Sequence, residues 1–399
     1  MSKKIRIVFY GLVLLIFLTL FLPESEAIPA WTRKYKVDCA VCHYPNPPRL
    51  NTFGHEFRRA GFRMEDEFNK DPGIEKVGDY ISLRMRPRFV VSKPDGGDTK
   101  TDFQLNDITL FYSGPIAAHF SAFAEIEFED EEETTLLAQV SGIKGLPDAF
   151  WTFRIGSAHP LSRVGFGGFD RPTGISTTTV QSATLTDGGV PFRINGDQRF
   201  LEMTAVRGWN RFIFQVLNGI NPEGVGNEGR IFDTDSGKDV SVAFERILDD
   251  RASGFTAYSY FGRAEIQASD VGRFPAPGDY RFYRYGFTAN KIFAKGIEFQ
   301  GGYIYAKDNL PEAAPDINGY GLYLDIEKYF EKQDFTVFGR YDLIDGNTDV
   351  DNNLRRQYIL GFTRNVVSNV RLAAEGAWIN SQAKDTTDFR LTTEVMINF

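Results

Sequence analysis

The fold is decided by the last stretch of the chain, which reads Phe389-Arg390-Leu391-Thr392-Thr393-Glu394-Val395-Met396-Ile397-Asn398-Phe399. Its odd positions are apolar or threonine, whereas its even positions include arginine, threonine, glutamate and asparagine. Side chains on a β-strand alternate between its two faces, so this period of two predicts a strand with one apolar and one polar face. The same alternation recurs upstream, first over residues 81–91.

Sixteen segments of this kind can be counted along the chain. They are near 80–91, 103–112, 116–128, 148–156, 161–168, 199–206, 211–218, 238–246, 254–262, 279–289, 296–306, 318–329, 334–344, 355–364, 370–379 and 389–398. Their linkers alternate between short ones, such as 113–115 and 208–210, and long ones, such as 169–197. This pattern predicts an all-β fold: an antiparallel outer-membrane β-barrel of about sixteen strands, with both ends in the periplasm. A large secreted β-sandwich or a β-solenoid is the alternative, but no fixed-period repeat supports a solenoid.

Composition excludes several other classes of protein. The net charge of −8 argues against a nucleic-acid partner, because phosphates require a basic surface. Two cysteines cannot form a disulfide framework. After the N-terminus there is no second long apolar run, which argues against a membrane protein of several helices.

Both ends of the chain indicate export. Lys3, Lys4 and Arg6 precede an apolar run over 7–22, and a small-x-small site follows at Ser25 and Ala27. This is the pattern of a cleaved signal peptide over 1–27, with an uncleaved anchor as the alternative. The alternating last strand that ends in phenylalanine resembles the C-terminal signal of Gram-negative outer-membrane barrels. We therefore expect an outer-membrane protein that contacts lipid.

The strongest chemical signal is Cys39-Ala40-Val41-Cys42-His43, a C-x-x-C-H motif that attaches c-type haem. Two thiols three residues apart reach the two vinyl groups of one porphyrin, and the next residue, His43, then lies beneath the iron as its proximal ligand. A thioredoxin-like pair would need a βαβ context, which residues 28–78 lack. A structural zinc site would need four ligands, and only His55 is a local addition. The sequence predicts one covalently bound haem c.

A short helix is predicted after the motif, over the stretch from Leu50 to Gly61. Leu50 and Gly54 are four residues apart, as are Phe53 and Phe57, which gives one apolar stripe that we expect to cover the haem. The distal ligand stays open between Met64 and His55, with His119, His159 or an open sixth position as further alternatives. On this helix His55 lies about 200° from Phe53, which predicts that it points away from the stripe.

Together these features resemble the outer-membrane cytochrome–porin fusions, monohaem proteins best known from iron-oxidising bacteria. The resemblance lies in the mature start Ile28-Pro29-Ala30-Trp31, the C-x-x-C-H motif, Leu50-Asn51-x-Phe53-Gly54-x-x-Phe57-x-x-x-Gly61 and the barrel with its terminal phenylalanine. It implies a haem plug over 28–78 at or in a barrel over 79–399. It also implies electron transfer from an extracellular donor such as Fe(II) to periplasmic cytochromes, which would make the protein an Fe(II) oxidase.

Two other functions stay open at this point. One is a porin or transport channel whose haem-bearing segment is a plug, and the other is a haem oxidoreductase such as a peroxidase, which requires an open sixth position. An acidic run from Glu125 to Glu133, leading into an expected outer loop, suggests a mouth that attracts cations. The plainer interpretation of that run is a solvated loop.

Overall fold

A computed structural model describes residues 30–44, 49–68, 70–72, 77–128, 133–146, 149–158, 174–220, 237–267, 274–311, 315–367 and 369–398. The predicted signal peptide, His159 and the acidic residues 129–132 lie outside these ranges. The described helices are short: α1 (Ala30–Tyr35), α2 (Thr52–Arg59), α3 (Thr179–Ser182) and single 3₁₀ turns at Cys39–Val41, Glu65–Glu67, Val77–Asp79, Ala294–Gly296 and Glu331–Gln333. None of the described helices has the length and hydropathy to cross a membrane.

Sixteen strands form one closed antiparallel barrel in which each strand pairs with its neighbours in sequence and β1 pairs with β16. The strands are β1 (Ile81–Lys93), β2 (Lys100–Pro115), β3 (Phe120–Phe128), β4 (Glu133–Leu146), β5 (Ala149–Ala158), β6 (Gln198–Arg207), β7 (Asn210–Leu217), β8 (Asp239–Ile247), β9 (Gly254–Ile266), β10 (Gly278–Ile292), β11 (Ile297–Asn309), β12 (Ile317–Phe330), β13 (Phe335–Asp345), β14 (Arg355–Val367), β15 (Val370–Ser381) and β16 (Thr386–Asn398). The predicted fold class is confirmed.

The alternation along the strands places most buried polar side chains inward and most exposed apolar ones outward, although a cluster of apolar and aromatic residues, Phe200, Tyr260 and Phe282 among them, is also buried inside. On β6, Glu202 and Thr204 are buried in the lumen, whereas Leu201, on the opposite face, is 55% exposed. Leu360 on β14 is 62% exposed on the outer surface in the same way. A buried polar interior and an exposed apolar exterior are the reverse of a soluble core, and they match a barrel whose outer band faces hydrocarbon.

Connections of two to six residues close one end of the barrel, which we call the short-turn end, and connections of up to 39 residues lie at the other. The longest connection, between β5 and β6, returns into the lumen where it is described. There the hydroxyl of Thr179 donates to Asp342 at 2.9 Å, and Arg340 donates to the Ser176 carbonyl at 3.0 Å. The longest connections all lie at one end, as predicted, but the alternation is not strict, because the connection between β15 and β16 at that end has only four residues.

Two local predictions differ from the structure, and a third concerns residues that the structure does not describe. Strand β4 (Glu133–Leu146) was not among the predicted segments, because two register shifts against β5 interrupt its alternation. The predicted strand at 161–168 lies outside the described residues, and β5 pairs directly with β6. The short linker predicted at 113–115 is wrong, since β2 continues to Pro115 and the turn follows it. His119 therefore lies in that turn, one residue before β3, and not on a strand.

Candidate functional site

The C-x-x-C-H motif forms one tight turn. Asp38 caps the 3₁₀ turn Cys39–Val41 by accepting a hydrogen bond from the Ala40 amide at 2.8 Å, and the amides of Cys42 and His43 both donate to the Cys39 carbonyl. The Nδ1 atom of His43 lies 2.8 Å from the carbonyl oxygen of Arg49. A carbonyl oxygen can only accept, so Nδ1 carries the proton in the neutral ring and Nε2 is the unprotonated nitrogen, which is the usual tautomer of a ligating histidine.

Helix α2 is joined to this turn through its N-cap, Asn51. The Asn51 side chain accepts from the Gly54 amide at 2.9 Å and donates to the carbonyls of Ala40 and Val41 at 3.1 and 3.0 Å. Gly54 allows the helix to approach closely, because a Cβ at this position would overlap the carbonyl oxygen of Cys42. The C-x-x-C-H motif and the helix after it therefore form one unit. The role of Asn51 was not identified from the sequence, although an asparagine before a short helix is a common capping signal.

The two cysteines are free thiols of intermediate burial. Burial raises the pKa of Cys39 to about 11, with further increases from the nearby carboxylates of Asp38 and Asp334. Burial and the neighbouring Cys39 likewise raise the pKa of Cys42 to about 11. Both thiols are thus protonated at neutral pH, which disfavours a reactive redox pair, because such a pair requires a thiolate.

Cys42 and His43 line a cavity of about 740 Å³ between the N-terminal segment and the barrel wall. Leu50, Gly54 and Phe57 line it as well, whereas Phe53 does not, so the predicted apolar stripe is confirmed only in part. Trp31 and Phe62 stack with ring centroids 5.1 Å apart, and both border the cavity.

This cavity fits a haem by three criteria. Its volume falls within the range of roughly 300–1,000 Å³ that is usual for cofactor sites. Its wall combines a thiol, an imidazole and large aromatic rings. Arginines on the barrel wall are suited to carboxylates such as haem propionates. Cys39 lies in the same turn as Cys42 but is not among the residues that line the cavity.

The two predicted candidates for the distal ligand do not line this cavity. His55 is on α2 and is buried, not solvated, with its Nδ1 3.4 Å from an Arg58 guanidinium nitrogen. Burial, and then the charges of Arg58 and Arg211, hold its pKa well below the ordinary value. Met64 precedes the Glu65–Glu67 turn. The cavity is instead lined by Met396 of β16, which is buried.

Met396 is not among the ligands that the sequence predicts. The signal was present, because Met396 is an apolar residue at one of the even, polar positions of the last strand. Among the described residues that line the cavity, it is the only methionine, and His43 is the only histidine. The described residues contain no cluster of three or more histidine, cysteine, aspartate or glutamate side chains suited to a metal ion.

Buried ion pairs fix the N-terminal segment, residues 30–68, against the lumen wall at the short-turn end; we call this segment the plug. Arg49 pairs with Glu298 of β11 and, at 3.1 Å, with Glu327 of β12. Burial alone would lower the pKa of Arg49, but these two carboxylates outweigh it and raise that pKa. Arg59 lies 3.2 Å from Glu245 of β8 and 3.6 Å from Glu202 of β6.

Hydrogen bonds to the short turns complete the attachment of the plug. The Thr52 hydroxyl donates to the Asp249 carbonyl at 2.7 Å. The Arg63 guanidinium donates to the carbonyl of Phe120 at 2.6 Å, and the Trp31 indole donates to the carbonyl of Ser113 at 3.2 Å. The plug therefore contacts β2, β3 and the β8–β9 turn as well as the acidic strands.

Comparisons with known proteins identify the fold. No family model matches the chain, and no curated protein is similar to it in sequence. Among solved structures, the anion-selective porin from Comamonas acidovorans superposes with a TM-score of 0.56 at 11% identity, over 80% of this chain and 98% of that one. In-vitro folded OmpT of Vibrio cholerae gives 0.54 at 10% identity, over 80% and 97%. The outer-membrane channel DcaP of Acinetobacter baumannii gives 0.54 at 10% identity, over 80% and 96%. The chain has the fold of an outer-membrane porin.

Proposed function

We propose that this chain is an outer-membrane porin-type barrel that carries one haem c on its plug and conducts electrons across the outer membrane. The observation that supports the proposal is the position of Cys42 and His43 on a cavity inside the barrel. A haem attached there lies within the lumen, where a single group serves both sides of the membrane. Short barrel turns are periplasmic in such proteins, so the plug lies on the periplasmic side.

In this proposal each residue of the motif has a defined task. Cys39 and Cys42 would hold the haem through their sulfur atoms, and His43, whose Nδ1 lies 2.8 Å from the Arg49 carbonyl oxygen, would ligate its iron. Met396 is the cavity residue suited to the distal position, and ligation by methionine and histidine raises the reduction potential. When bound, haem supplies one-electron redox chemistry.

The remaining residues position the site and exclude water. Trp31, Phe57 and Phe62 form an aromatic cluster beside Cys42, with Trp31 edge-on to Phe57 at 5.3 Å. The plug, fixed to four strands by Arg49 and Arg59, cannot rotate the motif relative to the barrel. We propose that an extracellular donor such as Fe(II) enters from the long-loop end and that periplasmic cytochromes accept electrons at the short-turn end.

A solute channel is the second candidate function. It is favoured by the porin fold, by the name of the DcaP structure as a channel, and by the lumen cavity itself. The porin likeness bears on the barrel and not on a haem, so it supports this candidate more directly than it supports electron transfer. The two functions differ in what crosses the membrane, electrons or solutes.

The test is a visible spectrum of the full chain expressed with a cytochrome c maturation system and purified from outer membranes. We expect a reduced c-type spectrum, haem that stays attached under denaturing conditions, and reduction by Fe(II). His43→Ala and the double variant Cys39→Ser/Cys42→Ser should lose these signals, while His119→Gln, in a turn outside the cavity, should keep them.

Single-channel conductance of the same preparation distinguishes the candidates. Covalent haem without steady conductance supports electron transfer. Conductance from a preparation without covalent haem would refute the cytochrome and leave the channel. If Fe(II) does not reduce the haem, iron is not the electron donor, and the proposed electron-transfer role requires a different donor.

A further inference from the structure

The outer surface of the barrel carries a buried arginine, Arg364 on β14. It is in register with Phe335 of β13 and Leu372 of β15, so its neighbours on this face are apolar. The face points outward, because the adjacent Thr363 and its partner Thr336 are buried on the lumen side. Arg364 is nevertheless only 8% exposed, and among the described residues it is the one buried arginine on the outer face.

The guanidinium of Arg364 is not compensated from within the described part of the chain. Its Nε and Nη1 atoms have no hydrogen-bond partner there, and it forms no ion pair. The acidic residue at this end of β13, Asp334, accepts instead from Asn365 at 2.8 Å and from Tyr329 at 3.1 Å. A guanidinium stays ionised, and a buried charge without compensation is costly. Arg364 therefore calls for an anion from outside the chain.

Arg364 lies at the level where a membrane presents its headgroups. It is three residues from Val367, which ends β14 at the short-turn end. The Phe335 ring beside it lies 6.1 Å from the Phe330 ring and 5.6 Å from the Phe362 ring, between centroids. Girdles of aromatic residues mark the membrane–water interfaces of transmembrane barrels. An anion that meets Arg364 at this level is the phosphate of a lipid.

A groove on the same outer surface lies closer to the middle of the barrel. It has a volume of about 980 Å³ and crosses the strands from β10 to β15; we call it the outer groove. Two glycines that line it, Gly301 and Gly339, leave space beside their cross-strand partners Leu324 and Leu360, which are 60% and 62% exposed. Its outward-facing lining is largely apolar, so it suits hydrocarbon.

The outer groove lies within reach of a lipid whose phosphate is on Arg364. Leu360 is four residues from Arg364 on the same face of β14, which is about 13 Å at a rise of roughly 3.3 Å per residue. One leaflet supplies half of a hydrocarbon core that is about 30 Å thick, so its acyl chains extend over about 15 Å. The two features therefore match the two halves of one molecule.

We propose that Arg364 and the outer groove bind one phospholipid of the periplasmic leaflet, with its phosphate on Arg364 and an acyl chain in the groove. The guanidinium offers paired donors to phosphate oxygens, and the groove offers an apolar surface to the chain. The proposal concerns the outer surface and requires neither a haem nor the passage of a solute, so it goes beyond the proposed function.

The test titrates the detergent-solubilised full chain with dioleoyl phosphatidylglycerol and counts the bound lipids by native mass spectrometry. Dioleoylglycerol, which has the same acyl chains and no phosphate, is the comparison lipid. We expect one saturable phosphatidylglycerol per chain. Dioleoylglycerol should bind about tenfold more weakly, because the charge-assisted hydrogen bonds to the phosphate are missing.

Four variants separate the contributions of charge and groove. Arg364→Gln should weaken binding of phosphatidylglycerol about tenfold and leave that of dioleoylglycerol unchanged. Arg356→Gln, the same change on the same face at the other end of β14, should have no effect. Gly339→Leu should weaken binding of both lipids, because the new side chain occupies the groove. Gly376→Leu, on the outer face of β15 but not in the lining of the groove, should bind as the unmodified chain does.

Three results would overturn the proposal. One is the absence of saturable binding to the unmodified chain. Another is equal affinity of Arg364→Gln and the unmodified chain for phosphatidylglycerol. The third is a lipid-free oligomer that Gly339→Leu dissociates, which would identify a second copy of this chain as the occupant of the groove. Circular dichroism establishes that each variant is folded, and if Gly339→Leu does not fold, the comparison of Arg364→Gln with Arg356→Gln decides.

Discussion

Replacement of Arg49 by methionine should release the plug from the barrel. Glu298 and Glu327 are each only 2% exposed, and Arg49 is the cation that contacts both. Removal of one partner from a buried ion pair costs about 3–5 kcal/mol, because the other charge is left buried without compensation. Glu298 keeps a hydrogen bond from Asn290 at 2.8 Å, so we expect the lower end, about 3 kcal/mol.

Hydrogen exchange of the amides in α2 (Thr52–Arg59) measures this loss directly. A cost of about 3 kcal/mol corresponds to a roughly hundredfold fall in protection, since 1.4 kcal/mol is a factor of ten. The matched control is Lys291→Met, which removes an exposed pair with Asp249 at the same end of the barrel. Exposed pairs contribute less than about 1 kcal/mol, so protection should change less than fivefold.

A third variant tests the cause. Arg49→Met/Glu298→Gln/Glu327→Gln has no buried charge to compensate and should recover most of the protection. If Arg49→Met exchanges as slowly as the unmodified chain, the plug is not held by this charge cluster and the reasoning fails. If the triple variant exchanges as fast as Arg49→Met, packing of the arginine stem and not its charge is what matters.

Three further predictions concern the site and the plug. Gly54→Ala should destabilise the plug by about 1–3 kcal/mol, because the new Cβ overpacks the site, and it should reduce the yield of covalent haem. Gly78→Ala is the control, because a Cβ at Gly78 meets open space and should have neither effect. Hydrogen exchange measures the stability, and the haem yield is measured separately. On the proposal of distal ligation, Met396→Leu should lower the reduction potential in a redox titration, whereas Met64→Leu should leave it unchanged. The pKa of Glu67 is lowered, because hydrogen bonds from a lysine and a tyrosine outweigh the effect of burial, which would raise it. The carboxylate therefore contributes about 1 kcal/mol to the stability of the plug at pH 7, and this contribution is lost as the pH falls below the ordinary pKa of 4.5. Hydrogen exchange of the plug should therefore distinguish Glu67→Gln from the unmodified chain at pH 7, and the difference should shrink as the pH falls below 4.5.

The barrel could be predicted from the sequence because a period of two is a local property. The burial of β6 alternates at every second residue over most of its length, and sixteen strands of this kind were expected. Strand β4 was missed because its two register shifts against β5 break the period. Local patterns of this kind carry no information on which strands face the plug.

The motif could be located from the sequence, but the residues that surround it could not. Cys39, Cys42 and His43 lie within five residues of the sequence and form a recognisable motif, and in the structure they lie in one turn. The burial of His55 depends on packing against distant strands, which brings Arg211 near it although the two are 156 residues apart. The position of Met396 on the cavity likewise depends on barrel closure, which brings β16 beside β1.

The electron-transfer and channel functions require different behaviour of the same plug. Solute passage requires that the plug move, whereas electron transfer requires that it stay. Arg49 and Arg59 pair with four carboxylates on β6, β8, β11 and β12, so no single strand can release the plug. Movement would leave these carboxylates buried and uncompensated at once, a cost of several kcal/mol that no feature of the described residues offsets. The arrangement of charge in the lumen therefore favours a fixed plug, which the proposed electron transfer requires.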